Sequence, residues 1–195
     1  MLIIFLLTSC SASETKNDGN KSSEQSKQKV ENKESNTSKK KVQKVELKKD
    51  ILRIKTLDGK EIHIDEAIAG LTFQEYKNKT VFVIFFGYRC PPCMQEMPHL
   101  IALMEKKHPD LKIIALEVQG LNKENLQAYK ARKGLNYTLA VGRENSSFIQ
   151  YIASKAQWGG SIPFFIAFDK KGEVKVVHIG ALNTEQLNGV YQELK

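Results

Sequence analysis

Cysteine is scarce in this chain: its 195 residues include only three, at positions 10, 90 and 93. So few cysteines exclude a disulfide-stabilised scaffold, and Cys10 lies far along the chain from the other two. A structural zinc site is excluded as well, because it needs four ligands and the four histidines are scattered. Cys90 and Cys93 therefore form an isolated Cys-x-x-Cys pair.

Long hydrophobic runs are also missing. The first run, Met1–Leu7, is far shorter than the roughly 20 residues that span a bilayer. It resembles the apolar region of a secretory signal, although the basic residues that usually precede such a region are absent. The stretch Leu7-Thr8-Ser9-Cys10 resembles a bacterial lipobox, in which the cysteine is lipidated. We therefore expect residues 1–10 to be a lipoprotein signal segment ending at a lipidated Cys10; an unprocessed start with an incidental cysteine is the alternative.

Apolar residues are nearly absent between residues 11 and 44, where Val30 and Val42 are the only apolar residues larger than alanine. Such a segment cannot bury enough apolar surface to offset the entropy of ordering it. We therefore predict a disordered polar tether over residues 11–49 and a folded domain over residues 50–195. A flexible coil of this length spans on the order of 30 Å, enough to hold a domain clear of a lipid surface.

The net charge of +8 comes mainly from the predicted tether. Residues 1–49 contain 11 lysines and six acidic residues, whereas residues 50–195 contain 19 basic and 16 acidic residues. The predicted domain is thus nearly balanced in charge. It lacks the basic stripe with interleaved aromatic residues that is typical of nucleic-acid-binding proteins, so we expect no nucleic-acid partner.

From residue 50 onward the apolar pattern predicts an α/β fold, with a central mixed sheet flanked by helices. Asp58-Gly59, between the alternating segments 51–56 and 61–64, predicts an amino-terminal β-hairpin. The run Thr80–Phe86 is apolar after its first residue, which is typical of a strand buried on both faces. Further strands are predicted over 111–118, 137–141, 163–168 and 173–179, with helices beginning near residues 90, 122, 147 and 183.

Cys90 and Cys93 follow the buried strand directly, at the start of a predicted helix. A helix amino terminus carries partial positive charge and free N–H groups, which favour a sulfur there as thiolate, the form that attacks disulfides. Pro91 suits a helix start because the N–H that it lacks would have had no partner. We therefore predict that Cys90 is the nucleophile and that Cys93, the more buried partner, resolves the mixed disulfide.

The segment Phe85–Pro98 reads F-F-G-Y-R-C-P-P-C-M-Q-E-M-P. It resembles the active-site segment of the TlpA/ResA/CcmG-like thioredoxins, which typically reads F-W-x-x-W-C-x-P-C-x-x-E-x-P. Members of that family are membrane-tethered extracytoplasmic proteins that pass reducing equivalents to substrates such as apocytochrome c. The resemblance covers about residues 50–195 and implies a thioredoxin fold with a redox-active disulfide, no other cofactor and no metal. Arg89 stands where the family usually has tryptophan.

The resemblance also implies roles outside the cysteine pair. Glu96 matches a carboxylate that tunes thiol ionisation and moves protons; a carboxylate beside a thiolate should raise the thiol pKa. The alternative for Glu96 is an exposed first-turn glutamate favoured by the helix dipole. Pro163 matches a cis-proline that faces the cysteine pair, and the backbone of Ile162 would pair with an extended substrate. Cys90 and Pro163 are 73 positions apart, more than a minimal thioredoxin needs. The excess resembles the extra strand–helix unit of the TlpA/ResA group, here around residues 119–141.

We therefore expect an extracytoplasmic, lipid-anchored thiol–disulfide oxidoreductase. Its partners would be the membrane, disulfide-bearing protein substrates and a membrane thiol reductant that supplies electrons. Two alternatives stay open: the same fold can act as an oxidant or isomerase, and two thiolates can hold a soft ion such as Cu(I) in a non-catalytic binding module. Trp158, before the proline loop, fits a docking groove and core packing equally well.

Overall fold

The computed structural model of the chain describes residues 52–195. The predicted lipidation residue Cys10, the signal segment and the tether lie outside the described residues and stay predictions. Within the described residues, no helix combines the length and the apolar character needed to cross a membrane.

The described chain forms eight strands and four α-helices in an order that alternates for most of its length. The strands are β1 (Leu52–Lys55), β2 (Glu61–Ala67), β3 (Gly70–Phe73), β4 (Thr80–Phe86), β5 (Leu111–Glu117), β6 (Thr138–Val141), β7 (Phe164–Phe168) and β8 (Val174–Ile179). The helices are α1 (Pro91–Glu105), α2 (Lys123–Lys133), α3 (Ser146–Ala156) and α4 (Thr184–Leu194). The predicted order of strands and helices after residue 80 is confirmed.

The central sheet has five strands in the order β6-β5-β4-β7-β8. Strands β4, β5 and β6 are parallel, while β7 and β8 run antiparallel to their neighbours, so the predicted mixed sheet is confirmed. All seven residues of β4 are buried, because successive side chains point to opposite faces and both faces are covered. Phe82, Ile84 and Phe86 pack in the cluster that contains core residues of α1, α2 and α4. Phe85 packs on the other face, where the cluster contains core residues of α3 and the amino-terminal strands.

The predicted amino-terminal hairpin is the first part of a three-stranded antiparallel sheet, β1-β2-β3. The third strand, β3, pairs with β2 through Ile64 opposite Phe73. Its four residues are too few to show a period in the sequence, which is why the pattern did not predict it. The predicted inserted unit around residues 119–141 corresponds to α2 and β6.

Polar caps fix the helix starts that the sequence predicted. The Asn122 side chain accepts the N–H of Asn125 at the start of α2. At the start of α4, Asn183 and Gln186 form a reciprocal capping box. These caps satisfy N–H groups that have no partner within their helices.

Candidate active site

Cys90 and Cys93 form a disulfide at the amino terminus of α1, with their Cα atoms 5.2 Å apart. Cys90 is the extended N-cap residue, and Pro91 and Pro92 occupy the first two helical positions. The backbone N–H of Cys93 donates to Cys90 Sγ at 3.2 Å. Cys90 is 5% exposed and Cys93 1%, which confirms that Cys93 is the more deeply buried sulfur.

This geometry favours negative charge on Cys90. When the disulfide is reduced, the N–H of Cys93 is placed to donate a charge-assisted hydrogen bond to the Cys90 thiolate. The partial positive charge of the α1 amino terminus acts in the same direction. Because Pro91 and Pro92 lack an N–H, the N–H of Cys93 is the first backbone donor of α1. Cys90 is therefore the sulfur suited to attack.

The loop before β7 faces the disulfide. The Ile162–Pro163 peptide bond is cis, as predicted, and the Ile162 carbonyl oxygen lies 3.7 Å from Cys90 Sγ. In the disulfide, Cys90 Sγ carries no proton, so the two atoms are in contact without a hydrogen bond. After reduction, the Cys90 thiol could donate a hydrogen bond to that oxygen. On its other side the loop is fixed by Gly180, whose N–H donates to the Pro163 carbonyl at 2.9 Å.

Trp158 is half-buried and packs against the core. Its ring stacks on Phe164 with centroids 5.4 Å apart and meets the edge of Phe85 at 4.9 Å. Its indole N–H donates to the carbonyl oxygen of Ser161 at 2.7 Å. Of the two interpretations of Trp158, the structure favours packing, with the hydrogen bond fixing the residue directly before Ile162.

Glu96 is buried in α1, one helical turn beyond Cys93, with 1% of its surface exposed. The alternative of an exposed first-turn glutamate is therefore wrong. Burial raises the pKa of the Glu96 carboxyl to about 7, opposed in part by the N–H of Leu182, which donates to Oε1 at 3.1 Å. Burial is the main cause that raises the pKa of the Tyr137 hydroxyl, and the negative charge of Glu96 raises it further. A group that exchanges protons near neutral pH thus lies close to Cys93.

A second buried carboxylate, Glu117, was not predicted. It ends β5 and is fully buried, and its two oxygens accept the N–H groups of Gln119 at 2.9 Å, Gly120 at 3.0 Å and Leu121 at 2.7 Å. These three residues form the loop between β5 and α2. No local sequence pattern marks such a residue, because an acidic side chain at a strand end is usually solvated.

Gln119 connects that loop to the residues before Cys90. Its Oε1 accepts the N–H of Arg89 at 2.9 Å. The side chain lies directly over Gly87, where an added Cβ would come within 2.2 Å of Gln119 Cδ. Glycine at position 87 therefore permits the close approach, and it is the one sequence signal that could have indicated this contact.

Arg89 lies exposed beside the disulfide and is held in place by its neighbour. Its guanidinium carbon lies 4.7 Å from the centroid of the Tyr88 ring, and Nη2 donates to the Tyr88 hydroxyl. Among residues 52–195 no cluster of three or more histidine, cysteine or acidic side chains could hold a metal ion.

Known redox proteins resemble this chain in sequence. A sequence model of the Redoxin family matches residues 56–194. The thiol–disulfide oxidoreductase ResA of Geobacillus kaustophilus is 29% identical over 122 residues, which are 62% of this chain and 66% of that protein. The protein of the same name from Bacillus anthracis is 28% identical over 142 residues, 72% of this chain and 73% of the relative. The match thus spans about two thirds of the first relative's length.

A solved structure shares the fold. The thiol:disulfide interchange protein of the thioredoxin family from Chlorobium tepidum aligns with a TM-score of 0.59 and 21% identity, over 74% of this chain and 92% of that one. The predicted thioredoxin fold is therefore confirmed. Because the family match extends from the residue after β1 to the end of α4, this chain belongs to the redoxin family, as a TlpA/ResA-like thioredoxin-family protein.

Proposed function

We propose that the chain is a thiol–disulfide oxidoreductase that reduces disulfide bonds of other proteins outside the cytoplasm. The observation that carries the proposal is the Cys90–Cys93 disulfide at the amino terminus of α1, with one sulfur beside the cis-proline loop and a buried carboxyl one turn beyond the other. The names of the ResA relatives support the same chemistry.

The reaction begins with the reduced pair. The Cys90 thiolate attacks one sulfur of the substrate disulfide, whose S–S bond breaks, and the other substrate sulfur leaves as a thiolate. Cys93 then loses its proton and attacks Cys90 Sγ, which breaks the mixed disulfide and releases the second substrate thiolate. Glu96, ionised, is suited to take the Cys93 proton. Two electrons pass to the substrate and Cys90–Cys93 becomes the disulfide seen here.

The cis-proline loop is the proposed contact for the substrate chain. The backbone of Ile162 lies beside Cys90, so an extended substrate segment that pairs with it would bring its own sulfur to the nucleophile. Apocytochrome c, a substrate of the family that the active-site segment resembles, is a candidate for the protein that binds this loop. Repeated turnover needs a source of two electrons, for which we propose a membrane thiol reductant.

Two measurements test the reaction. Cys93→Ser should trap mixed disulfides through Cys90, whereas Cys90→Ser should trap none, because Cys90, the less buried of the two sulfurs, forms the first bond. The reduction potential of the pair should lie near that of thioredoxin, about −270 mV, rather than near that of DsbA, about −120 mV. A potential above about −180 mV would favour the oxidant or isomerase alternative.

We further propose that the protein is anchored by a lipid on Cys10, outside the described residues. The support is the lipobox-like Leu7-Thr8-Ser9-Cys10, followed by a polar segment. Cys10→Ala should abolish fatty-acid labelling and either release the protein from the membrane or leave an unprocessed precursor. Unchanged labelling in that variant would remove the anchor from the proposal.

A further inference from the structure

Arg89 and Arg143 both donate hydrogen bonds to the loop between β5 and α2. The backbone N–H of Arg89 donates to Gln119, and the guanidinium of Arg143 donates to the carbonyl oxygen of Gly120 at 2.9 Å. Gln119 and Gly120 are consecutive, so both arginines are attached to the same loop. Both side chains are exposed.

Neither guanidinium is neutralised by an ion pair with any residue between 52 and 195. The nearest acidic residue in sequence to Arg143 is Glu144, and its carboxylate pairs with Lys55 at 3.1 Å. The carboxylate of the loop itself, Glu117, is fully buried and accepts three backbone N–H groups. Its two oxygens are thus engaged by the loop backbone and form no ion pair with Arg89 or Arg143.

The position of Arg89 is fixed before any partner arrives. Gln119 holds its backbone, and the Tyr88 ring and hydroxyl hold its guanidinium. Arg89 directly precedes Cys90, so its charge lies beside the less buried of the two sulfurs. A charge held in this way loses little side-chain entropy when it forms a charge-assisted hydrogen bond.

We propose that Arg89, assisted by Arg143, selects substrates that carry a carboxylate beside the disulfide to be reduced. The proposal rests on the oxidoreductase function proposed above and adds the chemical class of the partner to it. A carboxylate next to the substrate cystine would meet the guanidinium of Arg89 as its sulfur reaches Cys90. Opposite charges also speed the encounter of the two proteins, and salt weakens that effect.

The test uses two synthetic peptides, each with one internal disulfide, whose cystine is flanked by glutamate in one and by glutamine in the other. The protein is the full chain with Cys10→Ala, so that Cys90 and Cys93 are its only thiols. The rate constant for reduction is measured for both peptides under identical conditions. The ratio of the two rates reports charge recognition, because any change in Cys90 thiolate content affects both peptides equally.

We expect the glutamate peptide to react roughly fivefold faster at low salt, and the ratio to approach one at high salt. Arg89→Gln should bring the ratio close to one, Arg89→Lys should keep most of it, and Arg143→Gln should lower it by less. Arg132→Gln is the matched control: that guanidinium also lies over a tyrosine, 5.4 Å from Tyr129, but at the opposite end of α2 from the loop. Its ratio should equal that of the parent.

The outcomes separate the two proposals. If the parent reduces both peptides and Arg89→Gln leaves the ratio unchanged, the charge recognition is wrong and the oxidoreductase function stands. If Arg89→Gln and Arg132→Gln lower the ratio equally, the effect comes from net charge and the assignment to Arg89 is overturned. If the parent reduces neither peptide, the proposed function fails and this inference fails with it.

Discussion

Glu96 and Glu117 are both buried carboxylates, but they differ in the number of hydrogen bonds that they accept. Glu117 accepts three backbone N–H groups of the loop that follows it. Glu96 accepts one, from Leu182, and burial raises its pKa to about 7. Burial alone therefore does not define the role of a carboxylate. Glu117 fixes the loop through three hydrogen bonds, whereas burial, opposed by only one hydrogen bond, raises the pKa of Glu96 to about 7.

The largest effect should come from removing the Glu117 carboxylate. Glu117→Ala leaves three N–H groups without their acceptor and opens a cavity, so we expect a loss of about 3 to 5 kcal/mol in the free energy of unfolding. Denaturant unfolding of the oxidised protein measures it. Glu124→Ala, an exposed change in the first turn of α2, is the control and should cost less than about 1 kcal/mol. Equal losses in the two variants would show that water replaces the Glu117 carboxylate without cost.

The next effect is the change in the free energy of unfolding with pH. Because folding raises the pKa of Glu96 from its ordinary 4.5 to about 7, the folded state holds this proton more tightly than the unfolded state. The resulting stabilisation is complete below pH 4.5 and is lost as pH rises to about 7, a change of about 3 kcal/mol. Glu96→Gln removes this dependence, so the variant should gain about that amount relative to wild type between pH 4 and pH 8. Parallel stability curves for the two proteins would mean that Glu96 does not titrate in this range.

A smaller effect is expected on the thiols. An ionised Glu96 disfavours a second negative charge nearby, so Glu96→Gln should lower the thiol pKa of the pair by roughly one unit. The same variant should slow thiol exchange, because Cys93 loses its proton acceptor. Titration of the reduced protein by thiolate absorbance measures the pKa. Glu117→Gln is the matched control, with less than half the shift; a titration curve of Glu96→Gln that overlays wild type would refute a role for Glu96 at the thiols.

The smallest effect is expected for the hydrogen bond between the Gln119 side chain and the backbone N–H of Arg89. Gln119→Ala removes one hydrogen bond to a backbone N–H, which should cost about 1 kcal/mol in the free energy of unfolding. Gln127→Ala, an exposed change on α2, should leave stability nearly unchanged. If both variants unfold at the same denaturant concentration as wild type, the contact contributes nothing to the folded state.

Features with a local signal could be predicted from the sequence. The position of Cys90 after a buried strand predicted its place at a helix start, and the family motif predicted the cis peptide before Pro163. Contacts between distant parts of the chain could not be predicted. Leu182 reaches Glu96 across 86 residues, and Gln119 reaches Arg89 across 30. Such pairs depend on how helices and loops pack, which leaves no period or turn signature in the sequence.

The short separation of the two cysteines has a kinetic consequence. With Cα atoms 5.2 Å apart on one helical turn, Cys93 is present at Cys90 at an effective concentration far above that of any free thiol. Resolution of a covalent complex is then intramolecular and fast, so the residence time of a bound substrate can contribute little to choosing among substrates. Selectivity has to arise earlier, in the rate at which the first bond forms. The surface around Cys90, rather than the strength of any finished complex, then decides which protein is reduced.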